Sequence, residues 1–234
     1  PLMPVNVLQV LFCFVGIFGS ALLWPKARLK CICLPLGLMS ILMLFNFAEE
    51  TGLLVQHYLV TPALSFATGP AFYLSIRPLV YAERPWCRRD LLHLLPTMMA
   101  LPFTGFTQVV LALGSISLVI YGTLSFRLLL HYSRAVRAMR ADADSLSLRW
   151  LAGFMLAFAV LALEDIVRVN SQPYVTFAVR STWYFFHQLA SLVAYIALVL
   201  LAVRQPGLFN DLAYFDAHIA ESQAGTHEIF REAG

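Results

Sequence analysis

The amino-acid sequence predicts an all-α fold: a seven-helix transmembrane bundle with its N-terminus outside and its C-terminus in the cytoplasm. Three observations predict it. First, the chain of 234 residues is 60% hydrophobic and only 12% charged, against about 25% charged in a soluble domain, so a soluble fold of this size could not hide its apolar surface. Second, the apolar stretches run for roughly 20 residues without period-two alternation, which favours membrane helices over a membrane barrel. Third, basic residues recur at every second loop, the asymmetry that orients a multi-pass chain.

The elements follow in order. The first apolar run, Pro4 to Trp24, ends at Pro25 and the basic stretch Lys26, Arg28 and Lys30. It lacks a basic leader and a small-residue cleavage site, so it reads as a membrane helix rather than a cleaved signal peptide. The second run, Leu34 to Val55, carries Glu49 and Glu50 near its end, and a polar turn from Gln56 to Pro62 follows. The third, Ala63 to Ala82, leads into the charged segment Glu83 to Asp90. The next apolar stretch, Leu91 to His131, is too long for one span. The Pro, Gly and Thr residues of Pro102–Thr107 split it into a short fourth helix, Leu91 to Phe103, and a long fifth, Phe106 to Arg134. Ser145 reads as the N-cap of a sixth helix reaching Val169, and the seventh runs from Tyr174 to Val203.

With the N-terminus outside, the 26–30, 83–90 and 134–149 loops and the tail from Arg204 face the cytoplasm. Of the 16 Lys and Arg residues, only Arg168 and Arg180 then fall on the outer side. Residues 1–204 form the membrane domain, and residues 205–234 form a polar cytoplasmic tail. In that tail Leu208, Leu212, Phe215 and Ile219 recur at helical spacing, as in an amphipathic linker.

Ionisable groups inside a membrane are costly and mark functional sites by default. Here they gather toward one side: Glu49, Glu50 and His57 at the end of the second helix, Glu164, Asp165 and Arg168 near the end of the sixth, and Arg180, His187 and Gln188 on the seventh. One reading is a polar cavity in the outer half of the bundle that binds a small ligand through Glu49, Glu50, Glu164, Asp165, Arg180 and His187. The other is interfacial ion pairing, with Glu164 or Asp165 held by Arg168 or Arg180. Trp183 to Phe186 suit either the cavity wall or an interfacial aromatic belt.

Several chemistries find no residues to carry them. The only lysines, Lys26 and Lys30, lie in a loop, which excludes a retinal Schiff base inside a helix. No P-loop, GxSxG, HExxH or dinucleotide-binding fingerprint is present. Cys13, Cys31, Cys33 and Cys87 lack metal-ligand spacing and read as reduced or buried thiols. No cofactor, metal or catalytic activity is expected. The alternatives to a binding domain are a small transporter or channel subunit, which requires a continuous polar path, and a zinc-dependent intramembrane hydrolase, which requires a histidine constellation.

The stretch Gly69-Pro70-Ala71-Phe72-Tyr73-Leu74-Ser75-Ile76-Arg77, followed by Arg88-Arg89-Asp90-Leu91-Leu92-His93-Leu94-Leu95-Pro96, resembles the GPLLYLYVRSL…RRRDLLHFLP pattern of the N-terminal membrane domains of bacterial AraC-type regulators. Related domains occur in LytTR-type regulators and membrane histidine kinases. Ser147-Leu148-Arg149-Trp150-Leu151 is similar to that family's S-L-R-W-L element, and Arg204-Gln205-Pro206-Gly207-Leu208-Phe209 to its QPELF exit. The resemblance covers roughly residues 34 to 209; the family's longer loop between helices four and five is nearly absent here. It implies a bacterial inner-membrane sensory domain that binds a small signal and relays it to a cytoplasmic DNA-binding or kinase output, with homodimerisation by analogy.

The orientation is testable with alkaline phosphatase fusions in a bacterial host. A fusion after Asn170 should be active and fusions after Ala141 or Arg204 inactive; the inverse pattern overturns the assignment.

Overall fold

In hydrocarbon a backbone amide finds no water, so an apolar chain pairs its polar groups within its own helices. The computed structural model follows that rule: every regular element is helical, and no strand occurs among the described residues. The structure describes residues 3–26, 29–53, 59–81, 86–139 and 148–204. The α-helices are α1 (Met3–Leu23), α2 (Cys33–Glu50), α3 (Thr61–Val80), α4 (Leu95–Ala100), α5 (Thr107–Met139), α6 (Arg149–Ser171) and α7 (Phe177–Val203). Short 3-10 segments occupy Leu29–Ile32, Arg88–Leu94, Leu101–Phe106 and Gln172–Tyr174.

Among the described residues five stretches are long and apolar enough to cross a membrane: Pro4–Leu23, Leu29–Glu50, Arg88–Arg134, Trp150–Tyr174 and Phe177–Val203. Phe14, Ile17, Val119, Leu156, Leu163 and Val193 each stand more than half exposed on them, a surface compatible with lipid and costly in water. Against the expected seven helices, the described residues give these five stretches and a less apolar α3; the expected short fourth helix lies inside Arg88–Arg134 and is mostly 3-10.

The lower apolarity of α3 is explained by its position. Its most extensive interface is with α5, it also packs on α2, and twelve of its residues are buried, among them Gly69, Pro70, Phe72, Ser75 and Ile76. A helix sheathed by protein need not be soluble in lipid, so it can carry Thr, Ser, two prolines and Arg77. Each proline removes a backbone donor and leaves the carbonyl four residues earlier without its helical partner. Both carbonyls find replacements: Ser117 Oγ on α5 donates to the Phe66 carbonyl at 3.5 Å, and Trp86 Nε1 donates to the Leu74 carbonyl at 2.9 Å.

Arg88–Arg134 is not one straight rod. His93 Nδ1 lies 2.8 Å from the Tyr121 hydroxyl although the two are 28 positions apart, which on a continuous helix would separate them by roughly 42 Å. The chain reverses between them, at the segment bearing Pro102 and Gly105. Residues 88–106 thus run along α3 from Arg77, which forms a bidentate pair with Asp90, to Ala63 and Phe66, which pack against Ala100 and Val110. Ten residues here match fourteen of α3. A 3-10 rise of about 2.0 Å per residue against 1.5 Å in an α-helix narrows that gap. Asp90 also accepts from the Cys87 amide at 2.8 Å, so the carboxylate that closes the pair also caps this segment.

Element ends differ from the sequence reading in physically clear ways. The second helix stops at Glu50 rather than Val55, because Gly52 adopts φ +76° and the Leu53 amide turns back to the Ala48 carbonyl at 2.9 Å. This is the left-handed glycine stop. The seventh helix starts at Phe177 rather than Tyr174, with Thr176 as its N-cap. The sixth begins at Arg149. The expected N-cap Ser145 and the tail 205–234 lie outside the described residues.

Helix α3 crosses α5 closely. A Cβ built on Gly69 would sit 3.1 Å from Leu118 Cα and 3.2 Å from the Ser117 carbonyl, whereas Gly122 has nothing within 4 Å. Gly69→Ala should therefore lower stability by about 1–3 kcal/mol through overpacking, while Gly122→Ala should not. Thermal unfolding of the two purified variants in the same detergent checks this.

Candidate functional site

At the end of the bundle where α2 stops and α3 and α7 begin, the helices part around a cavity of about 630 Å³. That volume lies within the range of small-molecule sites, about 300–1,000 Å³. Its walls come from α2, α3, α5, α6 and α7. Met39, Leu42, Met43, Leu118, Phe158 and Leu161 supply an apolar part. Phe158 belongs also to a ring cluster with Phe72, Phe154 and Tyr195, whose Phe72–Phe158 centroids are 4.6 Å apart. Phe12 of α1 joins it edge-on to Tyr195 at 5.7 Å.

The polar part is organised by side chains one helical turn apart. On α7, Arg180, Tyr184 and Gln188 share a face at i, i+4 and i+8; on α2, Asn46 and Glu50 do the same at i and i+4. The Tyr184 hydroxyl joins the two helices. It donates to Glu50 Oε1 at 2.9 Å and receives Asn46 Nδ2 at 2.6 Å and Gln188 Nε2 at 3.0 Å. Gln9 of α1 approaches the same oxygen at 3.5 Å.

A second network joins α6 to α7. His187 Nδ1 pairs with Glu164 Oε2, and Trp183 Nε1 donates to Glu164 Oε1. The other ring nitrogen of His187 lies 3.6 Å from Asp165 Oδ1. Arg168 holds Asp165 through Nε at 3.0 Å and a second guanidinium nitrogen at 2.5 Å, and its guanidinium carbon sits 4.8 Å from the centroid of the Tyr184 ring. Arg168 thereby ties the second network to the first.

Of the six expected site residues, Glu49, Glu50, Asp165, Arg180 and His187 line this one cavity. Glu164 is not on its wall; it pairs with His187, which is. Glu49 has a further duty, since its Oε1 accepts the Val60 and Thr61 amides at 2.5 and 3.0 Å and so caps the start of α3. The expected pairing of an acid with Arg168 is present, at Asp165. The guanidinium of Arg180 instead lies 5.7 Å from the Phe177 ring. Trp183 and Tyr184, readable from sequence as an aromatic belt, are members of the polar networks. His57 lies outside the described residues.

No protein-family model, no curated protein and no solved structure matches this chain. The site must be read from its own chemistry.

The cavity pairs an apolar wall with a few oriented polar groups, the composition of a site for an amphipathic small molecule. Phe158 joins the cavity wall to the packed ring cluster. Among the described residues no group of three His, Cys, Asp or Glu side chains is placed to hold a metal ion.

Tyr184→Phe deletes the hydroxyl that joins α2 to α7 and leaves the Asn46 and Gln188 amides without it. The expected loss is about 1–3 kcal/mol, read as a lower midpoint in denaturation of the detergent-solubilised protein. A variant as stable as the wild type would show that the two helices are held by packing alone.

Proposed function

We propose that this chain is a sensory domain of a bacterial inner membrane, crossing it seven times, that binds a small amphipathic signal in the cavity and relays it along α7 to a cytoplasmic output. The observation that carries the reading is that α7 serves both ends. Arg180, Tyr184, His187 and Gln188 line the cavity. Fifteen residues further on, roughly 22 Å by helical rise, α7 ends at Val203.

Ligand binding shifts an equilibrium only if it favours one arrangement of the helices. The cavity offers that differential, because across it side-chain hydrogen bonds join α7 to α2 through Tyr184 and to α6 through His187. A ligand that exchanges partners with Glu50, Tyr184 or His187 changes how α7 sits against α2 and α6. At the other end of α7, Lys26 Nζ donates to the Val203 carbonyl at 3.3 Å. A cation on the last carbonyl of a helix is favourable, and here it links the α1–α2 connection to the exit of α7. The seven crossings comprise the five apolar stretches, with Arg88–Arg134 counted twice because it folds back, and α3 inside them. The resemblance to AraC-type membrane domains supports a DNA-binding or kinase output and a homodimer.

The test is made on the gene product in its native host. Its mass should exceed the 26.2 kDa of these residues, with a helix-turn-helix or kinase module in frame after them. In that full-length protein, alanine at Glu50 or His187 should alter the output by tenfold or more at equal membrane abundance. An unaltered output in both variants would sink the cavity as the signal site.

A further inference from the structure

The hydrogen bonds around Tyr184 do not balance. A phenol hydroxyl has one proton and two lone pairs. The proton is used on Glu50, while three amide nitrogens, from Gln9, Asn46 and Gln188, converge on the oxygen. The carbonyl halves of two of these amides are left over. Gln9 is fully buried and Gln188 is 4% exposed, yet neither Gln9 Oε1 nor Gln188 Oε1 has a donor. Gln188 lines the cavity, as does Glu50.

Glu50 differs from the other acids. Among the described residues, Asp90 pairs with Arg77, Asp165 with Arg168, Glu164 with His187 and Trp183, and Glu49 with two backbone amides. Among the described residues Glu50 has no cation within ion-pair distance. Among the described residues the cavity therefore presents one carboxylate without an ion pair, bonded to the same Tyr184 hydroxyl as Gln188, whose amide oxygen has no donor, with Met39, Leu42, Met43 and Phe158 elsewhere on its wall. Acceptors are in surplus, and the missing partner is a group with several N–H donors and a positive charge.

From this imbalance we infer that the signal is an amphipathic amine: a protonated ammonium head received by Glu50 and Gln188 Oε1, and an apolar body lying against the methionines, Leu42 and Phe158. An ammonium carries three donors and no acceptor, which matches the shortage at both atoms. The nearest cation on the cavity wall, Arg168, is spent on Asp165. Arg180 stands one to two turns nearer the start of α7, about 6–12 Å by helical rise, with its guanidinium against the Phe177 ring. This inference rests on the cavity being the signal site and adds the charge and donor chemistry of what enters it.

The experiment uses the full chain in phosphatidylcholine nanodiscs and three probes of equal tail length: octylammonium, octanol and octanoate. Binding is followed by Trp183-sensitive fluorescence and by the shift in melting temperature. Octylammonium should bind saturably and at least tenfold tighter than either other probe. Glu50→Gln should remove that preference, as should Gln188→Met if the first variant does not fold. Ser191→Phe, which fills the cavity, should abolish saturable binding of every probe. Equal binding of octylammonium and octanol, or a preference for octanoate, overturns the amine assignment and leaves the cavity standing as a site. Binding of all three probes that Ser191→Phe does not touch, or no saturable binding at all, overturns the cavity reading itself and the amine with it.

Discussion

A carbonyl without a donor is tolerable where water can reach it and costly where it cannot, and α3 contains two of them by covalent necessity. Pro70 and Pro78 strip the helical partners from Phe66 and Leu74. The replacement donors, Ser117 and Trp86, come from different parts of the chain, and each imposes a position on the segment that bears it. Ser117 must lie against the first proline, which holds α5 along α3 where Gly69 permits close approach. Trp86 must reach back over the second, which starts the following segment beside Arg77 and allows Asp90 to close on the guanidinium. The hairpin of residues 88–139 around α3 follows from these two repairs.

This arrangement leaves the polar side-chain networks to other helices. With α3, α5 and the 3-10 segment locked together, and α1 packed on α2, the helices that meet across the cavity are α2, α6 and α7. There the contacts are hydrogen bonds between side chains: Tyr184 to Glu50 and Asn46, His187 to Glu164, Arg168 to Asp165 and over Tyr184. Such bonds exchange partners at small cost when another donor or acceptor enters, while the ring cluster of Phe72, Phe154, Phe158 and Tyr195 next to them keeps its shape. A polar, rearrangeable end thus adjoins an interlocked aromatic layer, and α7 passes through both.

Much of the cavity was legible in the sequence, for an energetic reason. Ionised groups are so unfavourable in an apolar stretch that Glu49, Glu50, Glu164, Asp165, Arg180 and His187 stand out wherever they occur, and five of them do line one cavity. Asn46 was less visible because a neutral amide carries no such penalty. Its spacing of four from Glu50 was the available signal. Glu49 shows the limit of reading charge alone: a carboxylate at a helix end can serve a neighbouring helix as its cap, and only the approach of Val60 and Thr61 reveals which role it holds.

By itself the sequence determined the all-helical character, the positions of the long apolar stretches and the clustering of charge toward one end, because these depend on composition and on the period of the chain. The tertiary structure decided the rest. It showed that α3 is sheathed by protein, since burial depends on neighbours and the hydropathy of one segment cannot report them. It showed that 88–134 turns back on itself, since His93 meets Tyr121 only through folding. It also gave each acid its partner, because several cations lie within reach along the chain and geometry alone selects among them.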